Sequence, residues 1–186
     1  MISGGIGKRV HLITGGPGVG KTTLIKEAIR TWRGALGGFY TEEIRVHGRR
    51  EGFRIVTLDG REGVLAHVNY SGPPWVGKYG VDVYALEEIA VTAIKEAIRQ
   101  GALVIIDEIG KMELCSSHFR EAVSVALREG VNVLGTIMLT PHPWANEIKS
   151  HPAVRLITLE KTNRDSVIGE INQWLESLQS RATSTV

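Results

Sequence analysis

Apolar and polar residues follow two different rhythms along this chain, and together they predict an α/β protein. Strand-length runs dominated by apolar residues occur at 9–14, 103–108, 131–138 and 153–159. Between these runs, apolar residues recur every three or four positions, which predicts helices over 21–32, 86–98, 119–127 and 167–178. Strands that alternate with helices favour a mostly parallel central sheet covered by helices on both faces.

Residues 37–68 show a third pattern, in which short strand-like runs follow one another without a helix between them. Three short strand-like runs, GFYTEEIRV, GFRIVTL and GVLAHV, are separated by the turn-like segments HGRRE and DGRE. We interpret 37–68 as an antiparallel β insertion and the following glycine-rich segment 72–80 as a loop. The whole chain, 1–186, is predicted to be a single domain with a frayed tail at 180–186.

Composition narrows the class of protein without identifying it. The 186 residues are 42% hydrophobic and 23% charged, which is ordinary for a globular protein. A formal charge of +2 makes nucleic acid an unlikely partner, and one cysteine excludes an intrachain disulfide. Since no apolar stretch reaches the length of a membrane span, we expect a cytoplasmic protein that does not associate with membranes.

The first chemical signal is a glycine-rich turn between the first predicted strand and helix. Gly15, Gly20, Lys21 and Thr22 match the P-loop pattern, with four residues between the two glycines. Backbone N–H groups of such a turn converge on phosphate oxygens, the lysine contacts the β- and γ-phosphates, and the hydroxyl binds Mg²⁺. The predicted nucleotide-binding residues here are Gly15, Gly16, Pro17, Gly18, Val19, Gly20, Lys21, Thr22 and Thr23.

The second signal follows the apolar run LVII. Asp107 occupies the place of the acid that holds Mg²⁺ together with Thr22, and Glu108 follows it directly. A carboxylate at this position could accept a proton from a water molecule behind the γ-phosphate, which favours hydrolysis. Thr136 ends the strand VNVLGT, either as a sensor of the γ-phosphate or as a plain strand-end residue.

Four segments carry a family resemblance when taken with the P-loop: DEIGKMEL, GFYTEEI, GRREGFRIVTL and VGKYGVDV. In their order along the chain, at 38–44, 48–58, 76–83 and 107–114, they resemble the small P-loop nucleoside-triphosphatases of archaea and thermophilic bacteria, a family that includes the human cancer-related nucleoside-triphosphatase. The resemblance implies a RecA-like P-loop fold and slow, Mg²⁺-dependent hydrolysis of several nucleoside triphosphates. It departs after GTI at 135–137, where MLTPHP replaces an expected glycine-containing loop.

A transition state that spreads negative charge over the γ-phosphoryl oxygens needs additional cations. Lys78 is the first candidate because glycines flank its loop, and Lys111 and Arg45 are alternatives. Glu42 and Glu113 are candidates for a second acid, but the sequence favours a surface charge for each. The arginines at 49, 50, 54 and 61 are predicted to be solvated residues of a hairpin rather than an RNA-binding patch.

The loop before the last helix offers contacts to the base. Asn163 and Arg164 lie there, although Asn163 would also serve as the helix cap. Three function classes follow from the sequence: a hydrolase of ATP, GTP, CTP and UTP, a kinase, and a nucleotide-dependent switch or RNA-associated ATPase. The acid at 108 and the placement of the arginines outside a helical lid favour the hydrolase.

Overall fold

The computed structural model describes residues 8–183 and contains one nine-stranded sheet with the order β5-β6-β4-β3-β2-β7-β8-β1-β9. The strands are β1 Val10–Thr14, β2 Leu36–Val46, β3 Arg49–Thr57, β4 Glu62–His67, β5 Trp75–Val76, β6 Tyr79–Val81, β7 Leu103–Ile109, β8 Val133–Ile137 and β9 Val154–Thr158. The helices are α1 Lys21–Ala28, α2 Val83–Ala85, α3 Thr92–Arg99, α4 Ser117–Arg128, α5 Pro143–Ser150 and α6 Arg164–Thr183.

Five strands form the parallel half of the sheet: β2, β7, β8, β1 and β9. All five residues of β1 and all five of β8 are buried, as expected for strands covered on both faces. One hydrophobic cluster packs α1 and α6 against the sheet, and a second packs α3, α4 and α5 against it. The predicted α/β architecture is therefore confirmed.

The antiparallel half begins within β2. Residues Leu36–Tyr40 pair in parallel with β7, and Phe39–Val46 pair antiparallel with β3, so Phe39 and Tyr40 pair on both sides. The three strands predicted between 37 and 68 are all present. The prediction of a plain loop at 72–80 was wrong, because β5 and β6 form a short hairpin there and extend the sheet beyond β4.

Several helix boundaries differ from the sequence prediction. The first helix ends at Ala28 and continues as a 3₁₀ turn over Ile29–Thr31, and a π-helical segment, Leu86–Val91, connects α2 to α3. Helix α5 was not predicted, since its eight residues contain few apolar positions. The helix α6 reaches Thr183, so part of the tail that was predicted to fray is helical; residues 184–186 lie outside the described range.

Ser116 is the residue that caps α4. Its hydroxyl accepts a hydrogen bond from the Phe119 N–H at 3.0 Å and donates one to Glu87 at 2.6 Å. This cap fixes the start of α4 immediately after the acidic segment that follows β7. Across residues 8–183, none of the helices combines the length and the apolarity needed to cross a membrane.

Candidate active site

The phosphate cradle is the turn that joins the buried strand β1 to α1. A Cβ atom added at Gly15, whose φ is +153°, would lie 2.5 Å from the carbonyl oxygen of Leu159, so the turn requires glycine at this position. Helix α1 begins at Lys21, and its first turn contains no acidic residue. Its N-terminal N–H groups therefore face the cradle without a competing carboxylate, which favours an anion there.

Lys21 lies folded over the cradle. Its Nζ donates hydrogen bonds to the carbonyl oxygens of Gly15 at 3.0 Å and Gly16 at 3.2 Å. These carbonyls hold the ammonium group in the turn, where the β- and γ-phosphates of a nucleotide would lie. The structure thus places the lysine and the glycines of the P-loop in one continuous site.

Asp107 lies deep in the sheet near the end of β7, with 1% of its surface exposed. Its Oδ1 accepts a hydrogen bond of 2.6 Å from the Thr136 hydroxyl on the neighbouring strand β8. Burial raises the pKa of Asp107, while hydrogen bonding by the Thr136 and Thr22 hydroxyls and the charge of Lys21 lower it. The position of Thr136 is explained by this contact: it orients the buried acid.

The same carboxylate fits the role of a Mg²⁺ ligand. Its second oxygen, Oδ2, is buried and has no hydrogen-bond partner among the described residues, which is costly for a carboxylate unless a cation binds there. Within residues 8–183 no group of three His, Cys, Asp or Glu side chains is arranged to hold a metal. A single carboxylate such as Asp107 is compatible with Mg²⁺, which usually takes one or two carboxylates and completes its shell with phosphate oxygens and water.

Glu108 turns away from the interior toward the cradle. Its side chain lines a cavity of about 370 Å³ together with Lys21 and Gly15, and a second cavity of about 470 Å³ together with Lys21 and Thr22. Burial raises its pKa, the Lys21 ammonium opposes that rise, and the Asp107 carboxylate adds to it. A partly buried carboxyl with a raised pKa beside a phosphate site is a candidate general base.

Glu113 was predicted to be a surface charge, and that prediction was wrong. It is 4% exposed, and its Oε2 accepts a hydrogen bond of 3.1 Å from the Gly110 N–H. A Cβ added at Gly110 would lie 2.9 Å from that oxygen and 3.5 Å from Glu108 Cδ, so the two carboxyl groups flank Gly110. Burial, followed by the charge of Glu108, raises the pKa of Glu113 to about 8, and it is therefore neutral at pH 7.

The predicted auxiliary cations lie in different places. Lys78 is in the turn between β5 and β6, where its Nζ donates to the carbonyl oxygen of Arg50 at 3.4 Å. Lys111 is exposed on the wall of the smaller cavity. Arg45 lies near the end of β2 and bonds to Glu43 at 2.7 Å.

The two residues predicted near the base are bonded to other parts of the protein. The Asn163 side chain accepts from the Glu160 N–H at 2.8 Å and donates to the Thr158 carbonyl at 2.9 Å, so it braces its own loop. Arg164 forms an ion pair with Glu27 of α1. Their role in binding a base stays a prediction.

Sequence reasoning missed three residues that line the cradle cavities. Thr41 and Phe53 line both cavities, and Arg50 lines the larger one. The prediction that the hairpin arginines are solvated was incomplete, because Arg50 faces this cavity while being half-exposed. The pairing of β2 with β3 could be read from the sequence. The signal that was lacking is the pairing of β2 with β7, which brings the hairpin beside Asp107.

Comparison with known proteins agrees with this site. A family model described as NTPase matches residues 10–172. The chain is 51% identical to the nucleoside-triphosphatase THEP1 of Thermotoga petrophila over 160 residues, which cover 86% of this chain and 89% of that protein. It is 38% identical to the human cancer-related nucleoside-triphosphatase over 181 residues, covering 89% of this chain and 95% of the human protein.

Solved structures give the same result. The crystal structure of THEP1 from the hyperthermophile Aquifex aeolicus superposes with a TM-score of 0.82 at 40% identity, covering 90% of this chain and 99% of that one. The solution structure of the human nucleoside-triphosphatase superposes with a TM-score of 0.76. With its P-loop, its buried strand-end acid and this similarity over most of its length, the chain belongs to the nucleoside-triphosphatase family of hydrolases represented by THEP1 and the human cancer-related enzyme.

Proposed function

We propose that this nucleoside-triphosphatase hydrolyses ATP, GTP, CTP and UTP to the diphosphate and phosphate with Mg²⁺, and that Glu108 activates the attacking water. The observation that carries the proposal is that Glu108 and Lys21 line the same cavities in front of the P-loop. A base and a phosphate-binding cation on one cavity are the arrangement that in-line attack by water requires.

Each residue has a separate task in this mechanism. The turn from Gly15 to Gly20 and the N-terminus of α1 bind the phosphate oxygens, and Lys21 neutralises charge that moves onto the β- and γ-phosphates. Glu108 accepts a proton from the water as the water oxygen attacks the γ-phosphorus. The bond between the γ-phosphorus and the β–γ bridging oxygen breaks, and the diphosphate leaves with the bonding electron pair. Thr22 and Asp107 would hold Mg²⁺, which when bound screens the phosphate charge.

Broad specificity for the base is supported by the placement of the predicted base contacts. Asn163 and Arg164 are bonded to protein groups, Asn163 within its own loop and Arg164 to Glu27. A site that selects one base offers it hydrogen bonds that a wrong base leaves unpaired. Without such groups in place, we expect turnover of the four triphosphates to differ by less than about tenfold.

The test compares the wild type with Glu108→Gln in phosphate release from the four triphosphates. The amide keeps the size of the side chain but cannot accept the proton, so we expect kcat to fall roughly a hundredfold or more while nucleotide binding persists. Glu88→Gln makes the same chemical change at an exposed residue and should leave kcat unchanged.

Two results would contradict this mechanism. If Glu108→Gln turned over within about threefold of the wild type, the base would lie elsewhere. If the wild type bound nucleotide but released phosphate only when an acceptor molecule or a protein partner was added, a kinase or a nucleotide-dependent switch would replace the simple hydrolase.

A further inference from the structure

Arg50 is a charged residue of β3 that lies at the phosphate cradle. It lines the cavity of about 470 Å³ that Lys21, Thr22 and Glu108 also line. The guanidinium group is half-exposed, with 46% of the side chain accessible. Solvent can therefore reach it in the same cavity where the terminal phosphate of a nucleotide would lie.

Three side chains hold this guanidinium group. Its Nη1 donates to Glu43 Oε1 at 2.8 Å and its Nε donates to the Tyr79 hydroxyl at 3.2 Å. The Phe53 ring lies beneath it, with 5.3 Å between the guanidinium carbon and the ring centroid. Residues of β2, β3 and β6 therefore aim the group before any nucleotide binds, which lowers the entropy lost when it forms a new contact.

Two features leave Arg50 free to take an anion. The Nη2 group has no acceptor among the described residues, so a guanidinium donor remains available. Glu43 also bonds to Arg45, with 2.7 Å between Arg45 Nε and Glu43 Oε2. If Arg50 moved to a phosphate, Glu43 would keep a cationic partner.

We propose that Arg50 contacts the γ-phosphoryl oxygens in the transition state, and that Glu43 holds it in place while the nucleotide is absent. The antiparallel extension would then supply a cation to the site in the parallel half of the sheet. This inference rests on the proposed phosphate site at Lys21 and adds a catalytic residue to it. Lys78, bonded to the Arg50 carbonyl, would brace this segment from the β5–β6 turn.

A matched control lies four residues away on the same strand. Arg54 is also 46% exposed, and its Nη2 lies 2.7 Å from the Glu42 carboxylate of β2. The walls of the two cradle cavities do not include Arg54. Arg54 thus matches Arg50 in residue type, in exposure and in pairing with a glutamate of β2, and it differs in lining neither cavity.

The two ends of the Arg50–Glu43 ion pair separate a catalytic role from a scaffolding role. If the pair only supports the hairpin, removing either end should have the same effect on turnover. If Arg50 contacts phosphate, removing Arg50 abolishes the contact, whereas removing the Glu43 carboxylate leaves the guanidinium free to make it.

The experiment measures kcat and KM for ATP, the affinity for ADP alone and for ADP with aluminium fluoride, and the unfolding midpoint. The variants are Arg50→Ala, Arg50→Gln, Arg50→Lys, Glu43→Gln and Arg54→Ala. We expect Arg50→Ala and Arg50→Gln to lower kcat at least about thirtyfold and to weaken the aluminium fluoride complex without changing ADP affinity. Arg50→Lys should recover part of the loss, and Glu43→Gln should lower kcat much less than Arg50→Ala, because Tyr79 and Phe53 still hold the guanidinium group. Arg54→Ala, which changes a residue outside the cavity walls, should stay within about threefold of the wild type.

The unfolding midpoint shows whether Arg50→Ala is folded, and Arg50→Gln replaces it if it is not. A loss below about threefold in the folded Arg50 variants overturns the inference, as does a comparable loss in Glu43→Gln or Arg54→Ala. Failure of the proposed function looks different, because the wild type would then release no phosphate from ATP and Mg²⁺ alone.

Discussion

The parallel and antiparallel halves of the sheet shift the pKa values of their carboxyl groups in opposite directions. In the parallel half, the carboxyl groups of Asp107 and Glu113 are almost wholly buried, and burial raises the pKa of each. In the antiparallel half, the side chains of Glu42 and Glu43 remain partly exposed. Glu42 bonds to Lys26 and Arg54, Glu43 bonds to Arg50 and Arg45, and these contacts lower the pKa of each carboxyl group. Both halves contribute walls to the same cavities.

The physical reason for the difference is the surroundings of each strand. Strand β7 has neighbours on both sides and helices on both faces, so a carboxylate there loses its hydration and depends on a bound cation or on protonation. Strands β2 and β3 carry long side chains that reach water, where ion pairs form at little cost and can exchange partners. A buried carboxylate therefore indicates a site that needs a bound cation or a proton, whereas an exposed ion pair indicates side chains that can move and exchange partners.

The change with the largest expected effect removes the buried charge at Asp107. Asp107→Asn keeps the hydrogen bond from Thr136 but loses the negative oxygen that would hold Mg²⁺, so kcat/KM should fall roughly a hundredfold or more. The metal-free variant should nevertheless be at least as stable as the wild type, because it no longer buries a carboxylate. Phosphate release and thermal unfolding with and without Mg²⁺ and ADP measure the two effects.

The wild type and this variant should respond differently to ligands. Mg²⁺ with ADP should raise the unfolding midpoint of the wild type and raise that of Asp107→Asn much less. Normal activity of Asp107→Asn, or strong destabilisation of the metal-free variant, would contradict the inference that the buried Asp107 carboxylate depends on a bound cation.

Glu113→Gln tests whether a buried acid is held neutral. In the unfolded chain glutamate titrates near 4.5, whereas Glu113 in the folded protein titrates near 8. Between these values the folded state retains a proton that the unfolded state has lost, so this residue makes the wild type less stable as pH rises toward 8. Glutamine has no such titration, and the variant should gain stability relative to the wild type by several kcal/mol over that range.

Denaturant unfolding of both proteins from about pH 5 to pH 9 measures this difference. Below pH 5 the two stabilities should be similar, since glutamine resembles the protonated acid in size. If the difference between wild type and variant stayed constant with pH, Glu113 would titrate normally, and burial would not control charge in this half as we infer.

The smallest effect is expected in the antiparallel half. Arg61 lies between β3 and β4 and pairs with Asp59 and with Glu96 of α3, and its side chain is 39% exposed. Arg61→Ala should lower the free energy of unfolding by no more than about 1 kcal/mol, and about 1 M salt should reduce the difference further. A loss of several kcal/mol in urea unfolding would show that this exposed pair is as costly to break as a buried one.

Local features of the sequence were predicted well. The P-loop and the strand that carries Asp107 and Glu108 depend on residues close together in the chain, and each lies where its pattern places it. The family resemblance was also confirmed, because its motifs are short contiguous segments of the sequence. The hairpin β5–β6 was missed, since strands of two and three residues are too short to show a period.

The errors at the site concern long-range neighbours. Glu113 was predicted to lie on the surface. The residues next to it in the sequence do not show that the segment after β7 turns back and buries this side chain against the Gly110 backbone. Arg50 is exposed on its hairpin as predicted, but its place in the wall of the cavity that Lys21 lines was missed, because that place depends on the pairing of β2 with β7. Whether a side chain is buried and which charge it faces depend on neighbours that are distant in the sequence.

The sequence by itself determined the α/β class and the P-loop, because its glycine spacing and its apolar strand period lie within short windows. Its four further motifs carried the resemblance to the nucleoside-triphosphatase family. The tertiary structure alone decided which acids are buried, which arginine faces the cradle, and how β2 joins the two halves of the sheet. Those properties depend on contacts between residues distant in the chain, and the free energy of a charged group is set by the atoms that surround it.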